Sequence, residues 1–226
     1  MRLEVIRTGD GSPSLRVVEL DECYHSRRGA WNESLHVYIR NGFEAWLHHY
    51  PDAKRIRIFE MGFGTGLNVL LTASAAIKHP RLLVDYTAVE LHPLPEEIWR
   101  QLDFPESTIS NLPDLIHGLE FGRMQEITDR FFLTKHQADI LDYSPEMGFD
   151  VIYFDAFGPR AQPELWTEVF LKRIAGWLNP GGRLVTYCTK GYVKRGFRSG
   201  AFNVKSLPGP PGKREMLCVT LPAAAE

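Results

Sequence analysis

Strand-like and helix-like runs alternate along most of this chain, and that alternation leaves few folds open. "RIRIFEM" reads as a strand and "GLNVLLTASAAIKH" as a helix; "LLVDYTAVE" and "LPEEIWRQL" repeat the pair. "RFFLTKHQAD" and "FDVIYFDAF" come next as strands, then "PELWTEVFLKRIAGWL" as a helix and, after an "NPGG" break, "RLVTYC" as a strand. A short helix is predicted near "GYVKRGFRSGA", before "FNVKSL" and "REMLCVTL", an antiparallel pair joined by "PGPPGK". The segment 104–128 is predicted to be helical in part, and the tail "PAAAE" to fray. Short strands separated by helical crossovers build a parallel sheet with helices on both faces. The predicted fold is α/β: a doubly wound, mainly parallel, seven-stranded sheet with an antiparallel last strand, over residues 51–226. Residues 1–50 form an extension, a β-hairpin around "TGDGSPS" and a helical cover whose apolar positions are Leu35, Val37, Tyr38, Phe43, Trp46 and Leu47.

With 226 residues, 44% apolar and 24% charged, the composition is that of a globular domain rather than a disordered chain. No apolar run reaches the 18 residues of a membrane span, and "MRLEVIRTGDG" lacks the apolar centre of a signal peptide. Cys23, Cys188 and Cys218 are odd in number and have no metal-ligand spacing, so a reduced, cytoplasmic, metal-free protein is expected. Cys188 and Cys218 lie in apolar runs and are expected in the core. Net charge is −2, but from Val169 to Arg214 there are ten Lys or Arg and no Asp or Glu. That segment is +10 and the rest −12, which fits either a polyanion-facing surface or a solvated basic face.

Ligands on doubly wound sheets sit beyond the carboxyl ends of the strands. The chemistry-bearing residues fall there. "FEMGFGTGLN" puts Glu60 at a strand end, then Gly62, Gly64 and Gly66 in the turn before a helix. Glycine admits positive φ and close backbone approach, and helix N–H groups favour a carboxylate-bearing ligand. The spacing E-x-G-x-G-x-G differs from the dinucleotide fingerprint, and an acid ahead of the glycines repels a pyrophosphate but suits a cationic amino group. Glu90 ends the next strand, where a carboxylate accepts ribose hydroxyls, and Asp139 ends a third, where it accepts from an adenine amine. Taken singly, Glu90 or Asp139 could instead be a cap or a solvated turn residue. Together the three acids fit a nucleoside with an amino-acid tail, S-adenosylmethionine.

"YFDAFGPRAQPELW" is the acceptor-side loop. Asp155 ends a fourth strand, and Phe157, Pro159 and Pro163 stiffen the loop after it. The loop is similar to the acid/Asn-Pro-Pro-aromatic loops of amine methyltransferases, in which a side-chain oxygen holds the acceptor nitrogen. Asp155 is read as orienting an amine and transiently accepting its proton; a helix or turn cap is the alternative.

The stretches "YHSRRGAWNESLHVYI", "FEMGFGTGLN", "YFDAFGPRAQPELW", "NPGGRLVTYCTKGYVKRGF" and "GKREML" cover the chain from about 20 to 220. In combination they resemble the methyltransferases that complete 5-methylaminomethyl-2-thiouridine at the tRNA wobble position, found as half of a bifunctional enzyme or alone. The resemblance implies a Rossmann-like methyltransferase fold, S-adenosylmethionine as cofactor, and 5-aminomethyl-2-thiouridine in the tRNA anticodon region as acceptor. It carries Glu60, Gly62, Gly64, Gly66 and Glu90 over as cofactor-binding and Asp155 as the acceptor-side acid. Tyr24, Ser26, Glu33 and His36 belong to a block covering the site, with packing or capping as the alternative, and Phe157 joins them from the acceptor loop. The chain has no room for the flavin-dependent half, so only methylation is implied, with a separate enzyme supplying the aminomethyl group. The segment 104–128 departs from the family pattern. Lys190, Lys194, Arg195, Arg198, Lys213 and Arg214 are the candidate contacts to anticodon-loop phosphates; Tyr192 and Phe197 either stack on bases or belong to the core. Three rival readings stay open: a spermidine-synthase-like aminopropyl transferase, a small-molecule or protein methyltransferase, and a non-catalytic RNA-binding protein. The +10 segment disfavours a polyamine acceptor, and Glu60, Glu90 and Asp155 disfavour a non-catalytic role.

Overall fold

The computed structural model describes residues 2–104 and 111–223. The chain opens with an antiparallel hairpin of β1 (Leu3–Arg7) and β2 (Pro13–Val17), to which the two-residue β3 (Glu22–Cys23) adds. Its turn caps the next helix. The N–H groups of Ala30, Trp31 and Asn32 donate to Thr8 Oγ1, Ser12 Oγ and Asp10 Oδ2 at 3.2, 3.1 and 2.9 Å. Gly29, the residue ahead of that helix, has no side chain to cap with, so the hairpin satisfies the orphan donors and is anchored in return.

That helix runs as α1 (Ala30–Ser34), a π-helical stretch Leu35–Glu44 and α2 (Ala45–His49). Wider turns re-aim side chains, and such stretches recur at functional sites. Here the π turns carry Tyr38 into the core. The crossover units are β4 (Arg55–Met61), α3 (Leu67–Ala76), β5 (Leu83–Glu90), α4 (Glu96–Trp99), α5 (Leu112–Gly118), β6 (Met124–Thr128), β7 (Phe131–Gln137) and β8 (Phe149–Phe154). A 3₁₀ turn (Pro163–Trp166), α6 (Glu168–Ala175), β9 (Leu178–Thr186), α7 (Gly191–Arg198), β10 (Asn203–Pro208) and β11 (Glu215–Thr220) complete the chain.

The main sheet has the order β10-β11-β9-β8-β4-β5-β7-β6. It has eight strands, where the sequence pattern predicts seven. The extra one is β6, inside the segment expected to be partly helical. It pairs antiparallel with β7 through a register shift between Glu126 and Thr128. The central strands are parallel, while β11 runs antiparallel to both β9 and β10. The helix expected over "PELWTEVFLKRIAGWL" is split, because Thr167 adopts an extended conformation and caps α6 by accepting from Phe170 N–H at 3.3 Å. Strand β9 begins earlier than expected and absorbs the "NPGG" break as a bulge against β8.

One core cluster unites Val37, Tyr38, Phe43 and Trp46 of the N-terminal helix with Ile58, Val84 and Tyr86 of the sheet, so residues on both sides of position 50 share a core. A second, on the other face, holds Phe59, Phe154, Trp166, Phe170 and Phe197. Burying each such side chain contributes about 1.5–3 kcal/mol. Cys188 and Cys218 are buried, as expected. No described helix is long and apolar enough to cross a membrane. The predicted fraying of the tail concerns residues that lie, from 224 on, outside those described.

Candidate active site

The carboxyl ends of β5, β4 and β8 are neighbours in the sheet, and the strand order reverses there: the chain passes from β4 to β5 on one side and later crosses from β7 to β8 on the other. Glu60, Glu90 and Asp155 therefore meet at one crevice. Gly62 and Gly64 form its floor and Gly66 closes the turn into α3, with φ of 87, 49 and 74°. A Cβ on Gly66 would stand 2.8 Å from Ile116 Cδ1, and one on Gly64 3.0 Å from Tyr24 Cδ1, so the loop depends on glycine for both conformation and space.

A cavity of about 330 Å³ lies over this loop, walled in part by Tyr24, His25, Glu60, Glu90, Asp155 and Phe157. Glu60, Glu90, Asp155 and Glu164 all line it, and no lysine or arginine among the described residues does. That acidic lining fits a cationic nucleoside and opposes a pyrophosphate. Glu90 fixes the loop: its Oε2 accepts from Gly64 N–H at 2.9 Å and its Oε1 from His92 N–H at 2.8 Å. Each oxygen keeps a lone pair for a hydroxyl. Burial raises the Glu90 carboxyl above its usual range, and the two N–H groups oppose that shift.

Behind the cavity runs a chain of buried groups. Tyr38 OH donates to Asp155 Oδ1 at 2.6 Å. Asn68 Nδ2 donates to Asp155 Oδ2 at 2.9 Å and to Glu60 Oε1 at 2.8 Å. Tyr86 OH donates to Glu60 Oε2 at 2.9 Å. Each carboxylate oxygen thus receives one hydrogen bond, and none of these donors carries a charge. Desolvation dominates as a result. It pushes Glu60 well above the usual carboxylate range and Asp155 up to about 6, against the pull of the Tyr38 and Asn68 hydrogen bonds.

Asp155, Ala156 and Phe157 also wall a second cavity of about 420 Å³, with Tyr24, Ser26, Glu33, Tyr187 and Lys213 on its other sides. Tyr24 meets Phe157 edge-on, ring centroids 5.0 Å apart. Phe157 is held through its backbone, since its N–H donates to Gln162 Oε1 and its carbonyl accepts from Trp166 Nε1. Lys213 sits 4.5 Å above the Tyr187 ring and pairs with Glu33 at 2.5 Å. Beyond them opens a groove of about 530 Å³ lined by Arg160, Thr189, Lys190 and Arg214 among others.

The structure thus gathers Glu60, Gly62, Gly64, Glu90 and Asp155 around one cavity, and Tyr24, Ser26, Glu33 and Phe157 around the next; Gly66 does not line the first cavity and closes the turn into α3. It does not bring in every candidate. Asp139 lines neither; its Oδ1 accepts from Leu141 N–H at 2.8 Å, closing a turn. His36 lines neither and contacts the Pro208 carbonyl at 2.8 Å, tying the helix to the end of β10. Lys213 lines both the second cavity and the groove, with Lys190 and Arg214 in the groove alone. Lys194 pairs with Glu215 at 2.7 Å, while Arg195 and Arg198 lie on α7, both exposed. Phe197 is core and Tyr192 is exposed. Sequence reasoning missed Tyr38, Asn68, Tyr86 and His25. Asn68 did leave a signal, as a polar residue in the otherwise apolar first turn "LNVLL". His25 lies between Ser14 and Thr65, and burial lowers it to about 4, so it is neutral.

A family profile described as S-adenosyl-L-methionine-dependent methyltransferase matches residues 115–222. The bifunctional tRNA 5-methylaminomethyl-2-thiouridine biosynthesis protein MnmC of Cupriavidus metallidurans is 29% identical over 94% of this chain and 33% of its own length. The MnmC protein of Pseudomonas fluorescens is 32% identical over 92% of this chain and 33% of its own. The chain thus spans about a third of the length of these relatives. Among solved structures, MNMC2 from Aquifex aeolicus superposes with a TM-score of 0.79 at 26% identity, covering 98% of this chain and 71% of that one. The S-adenosylmethionine-bound amino pentose methyltransferase CalS10 of Micromonospora echinaspora shares the fold at a TM-score of 0.52 and 14% identity, over 86% of this chain and 92% of its own.

Proposed function

We propose that this chain, a member of the S-adenosyl-L-methionine-dependent methyltransferases, methylates the exocyclic amine of 5-aminomethyl-2-thiouridine at the tRNA wobble position, giving 5-methylaminomethyl-2-thiouridine. The observation that carries this reading is the position of Asp155. It forms wall to both cavities at once, one acidic and floored by the glycine loop, the other open toward a basic groove. The acceptor's identity comes from the resemblance to proteins named for that nucleoside.

When bound, S-adenosylmethionine supplies an electrophilic methyl on a cationic sulfur. The glycine loop and the start of α3 would hold its carboxylate end, Glu60 would answer its ammonium, and Glu90 would accept from the ribose hydroxyls. Asp139 lies beyond the cavity walls, and adenine recognition is left to them. On the other side, Tyr24 and Phe157 flank the entering base, and Asp155 accepts a hydrogen bond from its amine. That amine must lose a proton before it attacks, and for a lysine-like group deprotonation at neutral pH costs roughly 4–5 kcal/mol. Asp155 takes this proton. Burial moves its carboxyl toward the working pH, which makes it a better acceptor than an exposed aspartate. Most of the rate enhancement then comes from alignment of nitrogen, methyl and sulfur, an effect worth on the order of 7–11 kcal/mol.

Lys190, Arg195, Arg198 and Arg214 contact anticodon-loop phosphates, and Lys213 acts inside the acceptor cavity. The reaction takes place in the cytoplasm on an amine made by a separate activity. Incubating the protein with S-adenosylmethionine and tRNA carrying 5-aminomethyl-2-thiouridine tests the reading. Mass analysis of the nucleosides should show one added methyl group on that base; methyl transfer to a small amine or a protein instead would replace it.

A further inference from the structure

The four hydrogen bonds between Tyr38, Asp155, Asn68, Glu60 and Tyr86 have an asymmetry that pairwise roles do not explain. Tyr38 serves only Asp155 and Tyr86 only Glu60. The Asn68 amide alone serves both, spending one Nδ2 hydrogen on each. Its Oδ1 is buried and has no hydrogen-bond partner among the described residues, and the residue is 2% exposed. An unpartnered buried acceptor works against stability, and a leucine of similar shape would avoid it. Asn68 also lines the cavity, so its orientation is set at the site itself.

We infer that Asn68 is a positioning residue that couples the two halves of the reaction, orienting Glu60 for the cofactor and Asp155 for the acceptor through one amide. The inference rests on the proposed methyltransferase function. Two buried carboxylates this close compete for protons, and each hydrogen-bond donor shifts the balance toward the ionised form. The other groups facing Asp155 leave that demand in place. Glu33 from α1 opposes its charge, Lys213 from the loop before β11 favours it, and Tyr187 at the end of β9 is neutral. Without the Asn68 amide, Glu60 and Asp155 each lose a donor, and both shift toward the neutral acid. The cofactor's positive charge and the acceptor's proton then meet weakened partners together.

Asn68→Leu tests this, with Tyr38→Phe and Tyr86→Phe as one-sided comparisons. Affinity for S-adenosylmethionine is measured by calorimetry between pH 5.5 and 8.5, and the pH profile of methyl transfer to hypomodified tRNA alongside. Asn68→Leu should weaken cofactor binding about tenfold and move the acid limb of transfer up by about one pH unit, both in one protein. Tyr86→Phe should do mainly the first and Tyr38→Phe mainly the second. An Asn68→Leu protein that melts near wild type yet changes only one readout, or neither, overturns the inference. Should that variant fail to fold, Asn68→Ala removes the same donor and is judged by the same pair of readouts. If wild type binds the cofactor but leaves tRNA unmethylated, the acceptor reading is what fails. The pH midpoint of cofactor affinity then reports Glu60, and the pH dependence of the melting temperature between pH 4 and 7.5 reports Asp155: upward movement of both in the Asn68 variant supports the coupling, and movement of one or neither refutes it.

Discussion

Tyr38, on a π-helical turn, donates to Asp155 at 2.6 Å across 117 positions of chain. The hydrogen bond stabilises the ionised form of a carboxyl that burial has raised to about 6. Removing it with Tyr38→Phe withdraws a hydrogen bond to a charged group, about 1.5 kcal/mol, or about one pKa unit. With Asp155 accepting the amine's proton as proposed, the rate of methyl transfer should fall as pH drops through about 6 in wild type and about one unit higher in the variant. A kcat/KM profile from pH 5 to 9 checks this: several-fold loss near pH 6.5, with recovery above pH 8.

The same shift predicts a stability change. An aspartate raised from 3.8 to about 6 binds more protons folded than unfolded between those values, so stability declines as pH rises across that window. Above it the ionised carboxylate costs up to about 3 kcal/mol, reduced by the part of its surface that faces the cleft. Asp155→Asn should therefore abolish transfer yet melt higher than wild type at pH 7.5, with the gap closing near pH 4. Equal melting temperatures across the range would mean the carboxylate is better solvated than its surroundings imply.

Much of this was legible in the sequence, for identifiable reasons. Strand and helix periods were clear where one face is apolar, so β4, α3, β5, β7 and β8 could be read directly. The acids at strand ends stood out because carboxylates after an apolar run need a reason. β6 was hidden because its "MQEIT" carries little apolar signal and lies at the sheet edge, where burial demands least. Tyr38 and Asn68 were hidden for the opposite reason. Each sits in a stretch that looks like core, and its place in the buried chain depends on one polar atom that bonds to residues from elsewhere in the sequence. The basic segment misled in part: charge counting cannot see that Glu33 and Glu215, outside it in sequence, neutralise Lys213 and Lys194 in space.

Glu90 holds the loop and faces the cavity with the same carboxylate. Glu90→Gln keeps the shape but leaves only one oxygen for two backbone donors, so either Gly64 N–H or His92 N–H loses its acceptor. Cofactor affinity should fall about 10–100-fold, the equivalent of about 1.5–3 kcal/mol. Calorimetric titration with S-adenosylmethionine and with its demethylated product should show similar losses, since the ribose is common to both.

Gly66 is the residue before α3, at φ 74°, and a Cβ there meets Ile116 Cδ1 at 2.8 Å. Gly66→Ala combines left-handed strain of about 1–2 kcal/mol with that clash. Its melting temperature should drop by several degrees, and cofactor binding should weaken as the loop and the α3 N-terminus shift. Gly118→Ala serves as the control, because beyond its chain neighbours and its own helix backbone no described atom lies within 4 Å of its added Cβ.

The basic groove can be tested by ionic strength. Removing one phosphate-binding cation lowers the slope of log affinity against log salt by about 0.7–0.9. Lys190 and Arg214 line the groove beyond the acceptor cavity, and Arg195 lies on the adjoining α7. Replacing these three with alanine should flatten the salt dependence of tRNA binding by about two, with cofactor affinity unchanged. Lys194→Ala should change the slope little, because Glu215 at 2.7 Å already answers that charge. Filter binding across a series of salt concentrations separates the two variants. A Lys194 effect as large as that of the triple variant would mean the pair with Glu215 opens when RNA binds and the RNA-facing surface extends along α7.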